Sequence, residues 1–250
     1  MSGSSVLDHE AYFTAEHIPL EQTIGSSISE MMKWRFYLTV KRCMDVFGAL
    51  LALIIFSPVM IIVAIIIKLD SPGPIFFMPT RVGRGGKLFK MVKFRSMRMY
   101  QIDGQVVHAH EVLQKDQALL DEYKKNSYKL MNDPRVTKIG RFIRKFSLDE
   151  LPQFFNILHG EMSLVGPRAY LPNELIEQQE IYPDTKPLLK TLLLAKPGLS
   201  GKWQVSGRSE INFDIRIRMD AEYVQMRSIW YDIKILFLTI PALLTGRGAV

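Results

Sequence analysis

The feature that most restricts the fold of this chain is an apolar run of 22 residues, from Val46 to Ile67, without a charged side chain. A straight α-helix rises about 1.5 Å per residue, so a run of this length reaches across the ~30 Å hydrocarbon layer of a membrane. A helix buried in a soluble core is disfavoured, because the run is apolar on every side. The sequence therefore predicts a membrane helix.

Basic residues stand on both sides of this run. Membrane proteins keep Lys and Arg on the cytoplasmic side, so matched basic flanks favour a re-entrant helix, which enters and leaves on one face. Pro58 removes a backbone donor and kinks a helix, and the Ser57 hydroxyl can bond a carbonyl one turn back. From these residues alone, an ordinary spanning helix with a proline kink stays open. The basic flanking residues are Lys33, Arg35, Lys41, Arg42, Lys68, Arg81, Arg84, Lys87, Lys90, Lys93 and Arg95.

Charge is distributed unevenly along the chain. The formal net charge is +7, yet residues 1–32 contain five acids and no Lys or Arg. A basic body suits an anionic partner, such as nucleic acid, anionic lipid or a phosphorylated substrate. The aromatic residues are not interleaved with basic ones in the way that base stacking needs, so we expect no nucleic-acid partner. The single cysteine, Cys43, excludes a disulfide within the chain and a cysteine metal cluster.

Periodicity predicts a mostly helical α+β fold with a small strand component. Residues 1–32 lack a sustained pattern and are expected to form a flexible or loosely docked leader. The segment LFKMVKFRSM alternates as a strand does, and ILFLTIPALL near the C-terminus is too short to span a membrane and suits a core or interfacial helix. Helices are predicted over residues 101–131, 136–146 and 151–158.

The segment FIRKFSLDELPQFF carries the densest group of reactive side chains. Ser147 followed by Glu150 is a capping-box pattern, which places Asp149 and Glu150 in the first turn of a helix. In the simplest interpretation these acids only complement the helix dipole. With Arg144 and Lys145 just upstream, however, we expect Asp149 to be ionised at neutral pH. An ionised aspartate is a competent nucleophile toward phosphorus, and Glu150 is a natural oxygen ligand for Mg²⁺.

Three further segments could bind phosphate, although each is a weak signal alone. KMVKFRSM offers Lys93 and Arg95, GEMSLVGPRAY presents Arg168 after the Gly-Pro turn at Pro167, and KPGLSGKWQVSGRSEINF offers Arg208 as a bidentate fork. An arginine in a turn is usually solvent-facing, and the last segment could be a plain surface loop. None of the three matches a phosphate-binding P-loop, a dinucleotide fingerprint or a His/Cys metal pattern.

Together, four segments resemble the bacterial sugar transferase family, the monotopic polyprenyl-phosphate phosphoglycosyl transferases, over roughly residues 35–245. The resemblance implies a covalent two-step reaction. In the first step Asp149 attacks the sugar-proximal phosphate of a nucleotide diphosphate sugar, and uridine monophosphate leaves. In the second step the polyprenyl phosphate attacks the phosphosugar–enzyme. The segments are KRCMDVFGALLALIIFSPVMIIVAIIIKLDSPGPIFF, KLFKMVKFRSM, SLDELPQFFNILHGEMSLVGPR and PGLSGKWQVSGR.

The resemblance also assigns roles to residues. It implies Mg²⁺ held by Glu150 with Asp149, a re-entrant helix, and a helix break at Ser57 and Pro58. GKWQVSGR is similar to members that transfer hexose-1-phosphate, so a UDP-hexose donor is expected. An N-acetylated amino-sugar donor stays open, as does a non-catalytic basic protein of the membrane surface. The implied phosphate-binding residues are Lys93, Arg95, Arg144, Pro167, Arg168 and Arg208.

The expected organisation follows from these implications. Residues 33–79 form the re-entrant helix and its following loop, and residues 80–250 form a cytosolic catalytic domain associated with the membrane. The partners are a UDP-sugar, undecaprenyl phosphate and the lipid bilayer, with a homo-oligomer left open. The protein is expected at the bacterial inner membrane with its catalytic domain on the cytoplasmic face, at the first membrane step of exopolysaccharide, capsule, O-antigen or glycoconjugate synthesis.

Overall fold

A single long helix carries the apolar run. The computed structural model describes residues 13, 28–102, 105–125, 130, 133–207 and 211–244. Helix α1 extends from Ile28 to Asp70, so residues 28–32, which we assigned to the leader, belong to the helix. Phe47 and Ile54 are 70% and 72% exposed. By length and composition, α1 is the one helix of the described residues suited to cross a membrane. Such apolar exposure is unfavourable in water and suits hydrocarbon.

Helix α1 continues through Pro58. The Ser57 hydroxyl donates a 2.9 Å hydrogen bond to the Ile54 carbonyl, which confirms the predicted bond one turn back. Such a bond compensates part of the backbone disruption that a proline causes. The helix break and the re-entrant path stay predictions.

Short strands pair two by two around the body of the protein. Strands β1 with β4, β2 with β3 and β5 with β6 are antiparallel, whereas β7 with β8 is parallel. The segment predicted as one strand forms two, β3 and β4, because each pairs with a different partner strand. The strands are β1 Phe76–Phe77, β2 Thr80–Val82, β3 Leu88–Lys90, β4 Lys93–Phe94, β5 Met99–Ile102, β6 Gln105–His108, β7 Ser163–Val165 and β8 Gly198–Ser200.

Helices make up most of the remaining described chain. The prediction of one helix over residues 101–131 is wrong at its start, where β5 and β6 form a hairpin that the β-branched Val106 and Val107 favour. The predicted helices at 136–146 and 151–158 are confirmed as α4 and α5. The helices after α1 are α2 Ala109–Lys115, α3 Gln117–Lys125, α4 Lys138–Lys145, α5 Gln153–His159, α6 Pro172–Ile181, α7 Lys186–Leu192, α8 Lys202–Ser206, α9 Phe213–Met226 and α10 Ile229–Leu244.

The core has three parts. One lies between α1, α5, β7 and α10, and a second between α6, α7 and α9. The third joins the second half of α1 to β4 and α4. Phe13 is fully buried in the second part, where its backbone lies so close to Gly86 that a side chain there would collide with it. The leader is therefore docked at residue 13.

Buried charges fasten the first half of α1 to the body. The Lys41 ammonium lies 2.9 Å from the Asp232 carboxylate of α10 and donates to the Val165 carbonyl of β7 at 3.0 Å. One turn later, Asp45 accepts a 2.9 Å hydrogen bond from the Ser163 hydroxyl. These contacts fix both the position and the rotation of α1 relative to β7.

Two arginines bind helix ends. Arg42 donates to the carbonyls of Ile157 and Leu158 at the end of α5, at 2.6 and 2.8 Å. Arg95 is 2% exposed and donates to the carbonyls of Ile67 and Ser71 at the end of α1, at 3.2 and 2.6 Å. The last carbonyls of a helix lack intrahelical partners and carry partial negative charge, so a buried guanidinium stabilises them. The structure thus shows Arg95 capping α1, whereas the phosphate-binding role expected from sequence stays a prediction.

Replacing Arg95 by Gln is expected to lower stability on the order of 2 kcal/mol, because several charged hydrogen bonds to carbonyls are lost. Turnover per folded molecule should stay close to that of the parent. Thermal unfolding in detergent, combined with activity of the folded fraction, measures both, with the exposed Arg98→Gln as matched control. Normal stability with lost turnover would return Arg95 to the substrate-binding residues.

Candidate active site

Asp149 and Glu150 lie in a short 3₁₀ turn, residues 148–150, that precedes α5. Ser147 adopts a left-handed conformation with φ of 54°, and its side chain makes no capping hydrogen bond. Helix α5 begins only at Gln153, after Pro152. The predicted capping box is therefore wrong in its hydrogen bond, because the Ser147 side chain does not cap the turn. The predicted position of the two acids is confirmed, since both lie in the first turn of the 3₁₀ helix that begins after Ser147.

The dyad of Asp149 and Glu150 is held against the second half of α1. The flanking side chains Leu148 and Leu151 pack into the cluster that contains Val63 of that helix. Leu148 and Leu151, on either side of the two acids, thus hold the turn against α1, while the acids lie next to Lys93. The dyad consequently lies beside the segment of α1 whose outer surface suits hydrocarbon.

Lys93 joins the two acids. Its ammonium lies 2.8 Å from Glu150 Oε1 and 3.6 Å from Asp149 Oδ2. This lysine belongs to strand β4, where it pairs with Phe77 of β1, and this register fixes its position along the strand. The structure thereby brings Lys93 together with the dyad, as the sequence pattern suggested.

Asp149 is 8% exposed, and burial raises the pKa of its carboxyl. Lys93 and Arg144 lower that pKa, and Glu150 raises it, with a net upward shift. Desolvation thus opposes the ionised state that we expect for Asp149, and the sequence pattern of neighbouring cations does not reveal this contribution. The carboxylate is therefore poorly solvated, and the two cations are the groups that favour its charged form.

Arg144, on α4, acts electrostatically on Asp149. Its Nε donates a 2.8 Å hydrogen bond to the Ser96 hydroxyl, just beyond β4. Gly140 permits this approach, since a side chain at that position would lie 1.9 Å from the Ser96 carbonyl oxygen. Helix α4 and strand β4 thus place Arg144 and Lys93 where both act electrostatically on Asp149.

Arg168 follows β7 and the turn at Pro167. Its guanidinium lies over the Trp203 ring, 5.0 Å from the centroid, and its Nε is 3.9 Å from Glu174 Oε1. Burial lowers the pKa of Arg168, but Glu174 and Glu150 raise it, with a net upward shift. Arg168 therefore interacts electrostatically with Glu150 of the dyad.

The remaining predicted residues do not join this centre in the described structure. Pro167 fixes the turn, and its carbonyl accepts a 2.8 Å hydrogen bond from Gly198. Arg95 caps α1, as described above. Arg208 lies outside the described residues.

Sequence reasoning missed a buried charged group next to Arg168. Glu174, Arg216 and Asp220 have no exposed surface, and Arg216 Nη1 lies 3.5 Å from Glu174 Oε1. Asp220 accepts hydrogen bonds from the Arg168 backbone amide and the Tyr170 hydroxyl, at 2.9 and 3.0 Å. Arg216 and Asp220 stand four residues apart between apolar residues of α9, and this spacing is the signal that could have revealed them.

The dyad is suited to a single divalent cation. Among the described residues, no three His, Cys, Asp or Glu side chains are grouped as metal ligands. Two carboxylates that converge on the Lys93 ammonium nevertheless mark a place where positive charge is favourable. Mg²⁺ is commonly held by one or two carboxylates together with substrate phosphates, so the donor set fits that metal.

Comparison of the sequence with known proteins identifies the family. The sequence matches the family model described as bacterial sugar transferase over residues 36–246. The chain belongs to the bacterial sugar transferase family.

Three relatives illustrate the range of this family. The chain is 46% identical over 210 residues to the undecaprenyl-phosphate galactose phosphotransferase of Salmonella typhimurium. It is 40% identical over 212 residues to the exopolysaccharide production protein ExoY of Rhizobium meliloti. It is 38% identical over 231 residues to the UDP-glucose:undecaprenyl-phosphate glucose-1-phosphate transferase of Escherichia coli.

The extent of these matches differs between relatives. They cover 84%, 84% and 89% of this chain, respectively. They cover 41% of the Salmonella protein and 42% of the Escherichia coli protein, but 87% of ExoY. The chain thus spans less than half the length of two of these relatives.

Burial raises the pKa of Asp220 to about 7, although hydrogen bonds from Arg168 and Tyr170 oppose the shift. In the unfolded chain Asp220 titrates near pH 4. The free energy of unfolding therefore falls by on the order of 4 kcal/mol as the pH rises from about 4 to about 7. Asp220→Asn keeps the shape without the charge. We therefore expect this variant to be more stable than the parent above about pH 7 and equal to it near pH 4.

Thermal unfolding in detergent across this pH range measures the difference between Asp220→Asn and the parent. The exposed Asp121→Asn is the matched control and should show no such trend. A difference that is independent of pH would contradict the assignment of a raised pKa to Asp220.

Proposed function

We propose that this chain transfers hexose-1-phosphate from a UDP-hexose to undecaprenyl phosphate, the first membrane step in building a surface polysaccharide or glycoconjugate. The observation that carries the proposal is the buried Asp149, paired through Lys93 with Glu150 and packed against a membrane-type helix. A non-catalytic basic surface protein has no use for such a dyad. The names of the Salmonella and Escherichia coli relatives support galactose or glucose as the sugar.

The reaction proceeds through two displacements at one phosphorus. An Asp149 carboxylate oxygen bonds to the sugar-proximal phosphorus of the donor, the bond to the bridging oxygen breaks, and uridine monophosphate leaves with that oxygen. A phosphate oxygen of undecaprenyl phosphate then bonds to the same phosphorus, and the aspartyl–phosphorus bond breaks. The products are undecaprenyl diphosphate hexose and regenerated Asp149.

Charge neutralisation and positioning are what such a reaction requires of the protein, since phosphoryl transfer needs little acid–base chemistry. Lys93 and Arg144 stabilise the charged nucleophile. Arg168, which interacts electrostatically with Glu150, is proposed to bind a donor phosphate. We keep Arg208 as a further phosphate ligand, and Pro167 as the residue that sets the Arg168 turn.

A magnesium ion completes the proposed site. Glu150, with Asp149, would hold it, and the ion would neutralise charge on the donor diphosphate. Excess chelator should stop the release of uridine monophosphate, and added Mg²⁺ should restore it. Full activity in chelator would exclude the metal.

We propose that α1 is re-entrant and bent at Ser57–Pro58, and that the catalytic domain lies on the cytoplasmic face of the inner membrane. The basic flanks support this path, and so does the position of the dyad beside the second half of α1. An insoluble lipid phosphate then reaches Asp149 without leaving its membrane.

A donor panel tests the overall activity. Purified protein, undecaprenyl phosphate and Mg²⁺ are combined with UDP-glucose, UDP-galactose and their N-acetylated amino-sugar counterparts, and uridine monophosphate is measured. Fastest turnover with a hexose supports the proposal. Preference for an N-acetylated sugar corrects the donor, and release with none of these donors contradicts the proposed function.

Asp149→Asn is expected to abolish turnover and to prevent attachment of a phosphosugar, because the amide is not a nucleophile toward phosphorus. Intact mass after incubation with the donor alone detects the adduct in the parent. The exposed Asp121→Asn should keep both adduct and turnover. A donor-derived adduct on Asp149→Asn would eliminate this residue as the nucleophile.

Single cysteines at positions 33 and 87, introduced in a Cys43→Ser background, test the path of α1. Both should react with an impermeant thiol reagent only from the cytoplasmic side. Pro58→Ala should straighten the helix and move position 33 toward the periplasm. Periplasmic labelling of position 33 in the unaltered helix would show that α1 spans the membrane.

A further inference from the structure

An additional arginine lies beside Arg168. Arg81 occupies the middle of β2, and the next residue, Val82, donates a 3.0 Å backbone hydrogen bond to the Tyr170 carbonyl. This bond fixes β2 alongside the segment that carries Arg168. The two guanidinium groups therefore come from separate parts of the chain and act on each other electrostatically.

Neither guanidinium is fully used by the protein. Among the described residues, Arg81 Nε and Nη1 and Arg168 Nε are buried and have no hydrogen-bond partner. Buried donors without partners are costly and are therefore few in folded proteins. Burial, together with Arg168, lowers the pKa of Arg81 to about 10, which reflects an unfavourable approach of like charges. Both the open donors and the repulsion would be relieved by an anion.

The surrounding acids do not supply enough negative charge. Glu174 is shared, since it lies 3.5 Å from Arg216 and 3.9 Å from Arg168 and also raises the pKa of Arg81. Asp220 accepts hydrogen bonds from the Arg168 backbone and Tyr170, not from these side chains. Glu150 also acts on both arginines, but its carboxylate lies 2.8 Å from the Lys93 ammonium. Each acid near Arg81 and Arg168 is therefore shared with another cation or donor. A neutral sugar would add no negative charge there.

We propose that Arg81 and Arg168 form a two-arginine site that binds a phosphate group of the substrates next to the dyad. The site deepens the proposed function, on which it rests for the source of the phosphate. Glu150 raises the pKa of both arginines, so all three groups share one electrostatic environment. A planar guanidinium binds two phosphate oxygens at once, which a lysine cannot reproduce.

Calorimetric binding to the full chain in detergent, with Mg²⁺, tests this site. Uridine diphosphate serves as the donor-side probe, and farnesyl phosphate in micelles as the lipid-side probe. Arg81→Gln should weaken binding of one probe by at least about tenfold, and the probe affected identifies the source of the phosphate. Arg81→Lys should recover little of the lost affinity. Lys87→Gln removes an exposed charge from the same hairpin and should change binding less than about twofold.

The outcomes separate this inference from the proposed function. Unchanged affinity of Arg81→Gln and Arg81→Lys for both probes would overturn the two-arginine site, even if hexose transfer is intact. Weakened binding in a chain that releases no uridine monophosphate would support the site and contradict the transfer reaction. Thermal unfolding of each variant shows that the binding values refer to folded protein, and Arg81→Lys supplies the test if Arg81→Gln does not fold.

Discussion

The ion pair between Lys41 and Asp232 fixes the relation between the apolar helix and the rest of the protein. The hydrophobic effect contributes little to the attachment of a lipid-facing helix to a polar domain. Specific polar contacts must therefore hold the helix to the domain. Desolvating a charge pair is costly unless further partners compensate, and here Asp45 and the Val165 carbonyl do so. Arg42 and Arg95 add contacts at two helix ends. The packing of Leu148 on α1, and with it the place of the dyad, depends on this attachment.

The dyad lies between an apolar surface on α1 and a group of basic side chains. Asp149 is desolvated on the side of α1, where apolar residues surround its turn, while Lys93 and Arg144 approach it from β4 and α4. Burial and the cations act in opposite directions on the pKa of the Asp149 carboxyl, and burial prevails. A diphosphate is itself negative and would raise that pKa further. In the proposed reaction between anions, fixed cations would offset this repulsion at low dielectric.

Local patterns in the sequence predicted the parts of the structure that depend on local forces. The apolar run gave α1, the amphipathic repeat gave α4, and adjacent acids with nearby cations marked Asp149. The hairpin of β5 and β6 was missed because polar residues outweighed its β-branched pair. The capping box failed because packing on α1 and Pro152 decide the turn. Arg95 and the group of Glu174, Arg216 and Asp220 depend on contacts between distant segments, which a single sequence does not encode visibly.

Strands β7 and β8 are paired in parallel, so the chain between them, from residue 166 to residue 197, leaves this pair and returns to it. Both ends of this excursion are hydrogen-bonded. Gly166 donates to the Ser200 carbonyl at 2.9 Å, and Gly198 donates to the Pro167 carbonyl at 2.8 Å. Arg168 stands at the fastened start of this excursion, so changes of length in the loops beyond α6 would not displace it. Such an arrangement lets the outer part of this segment differ between relatives while Arg168 stays in place.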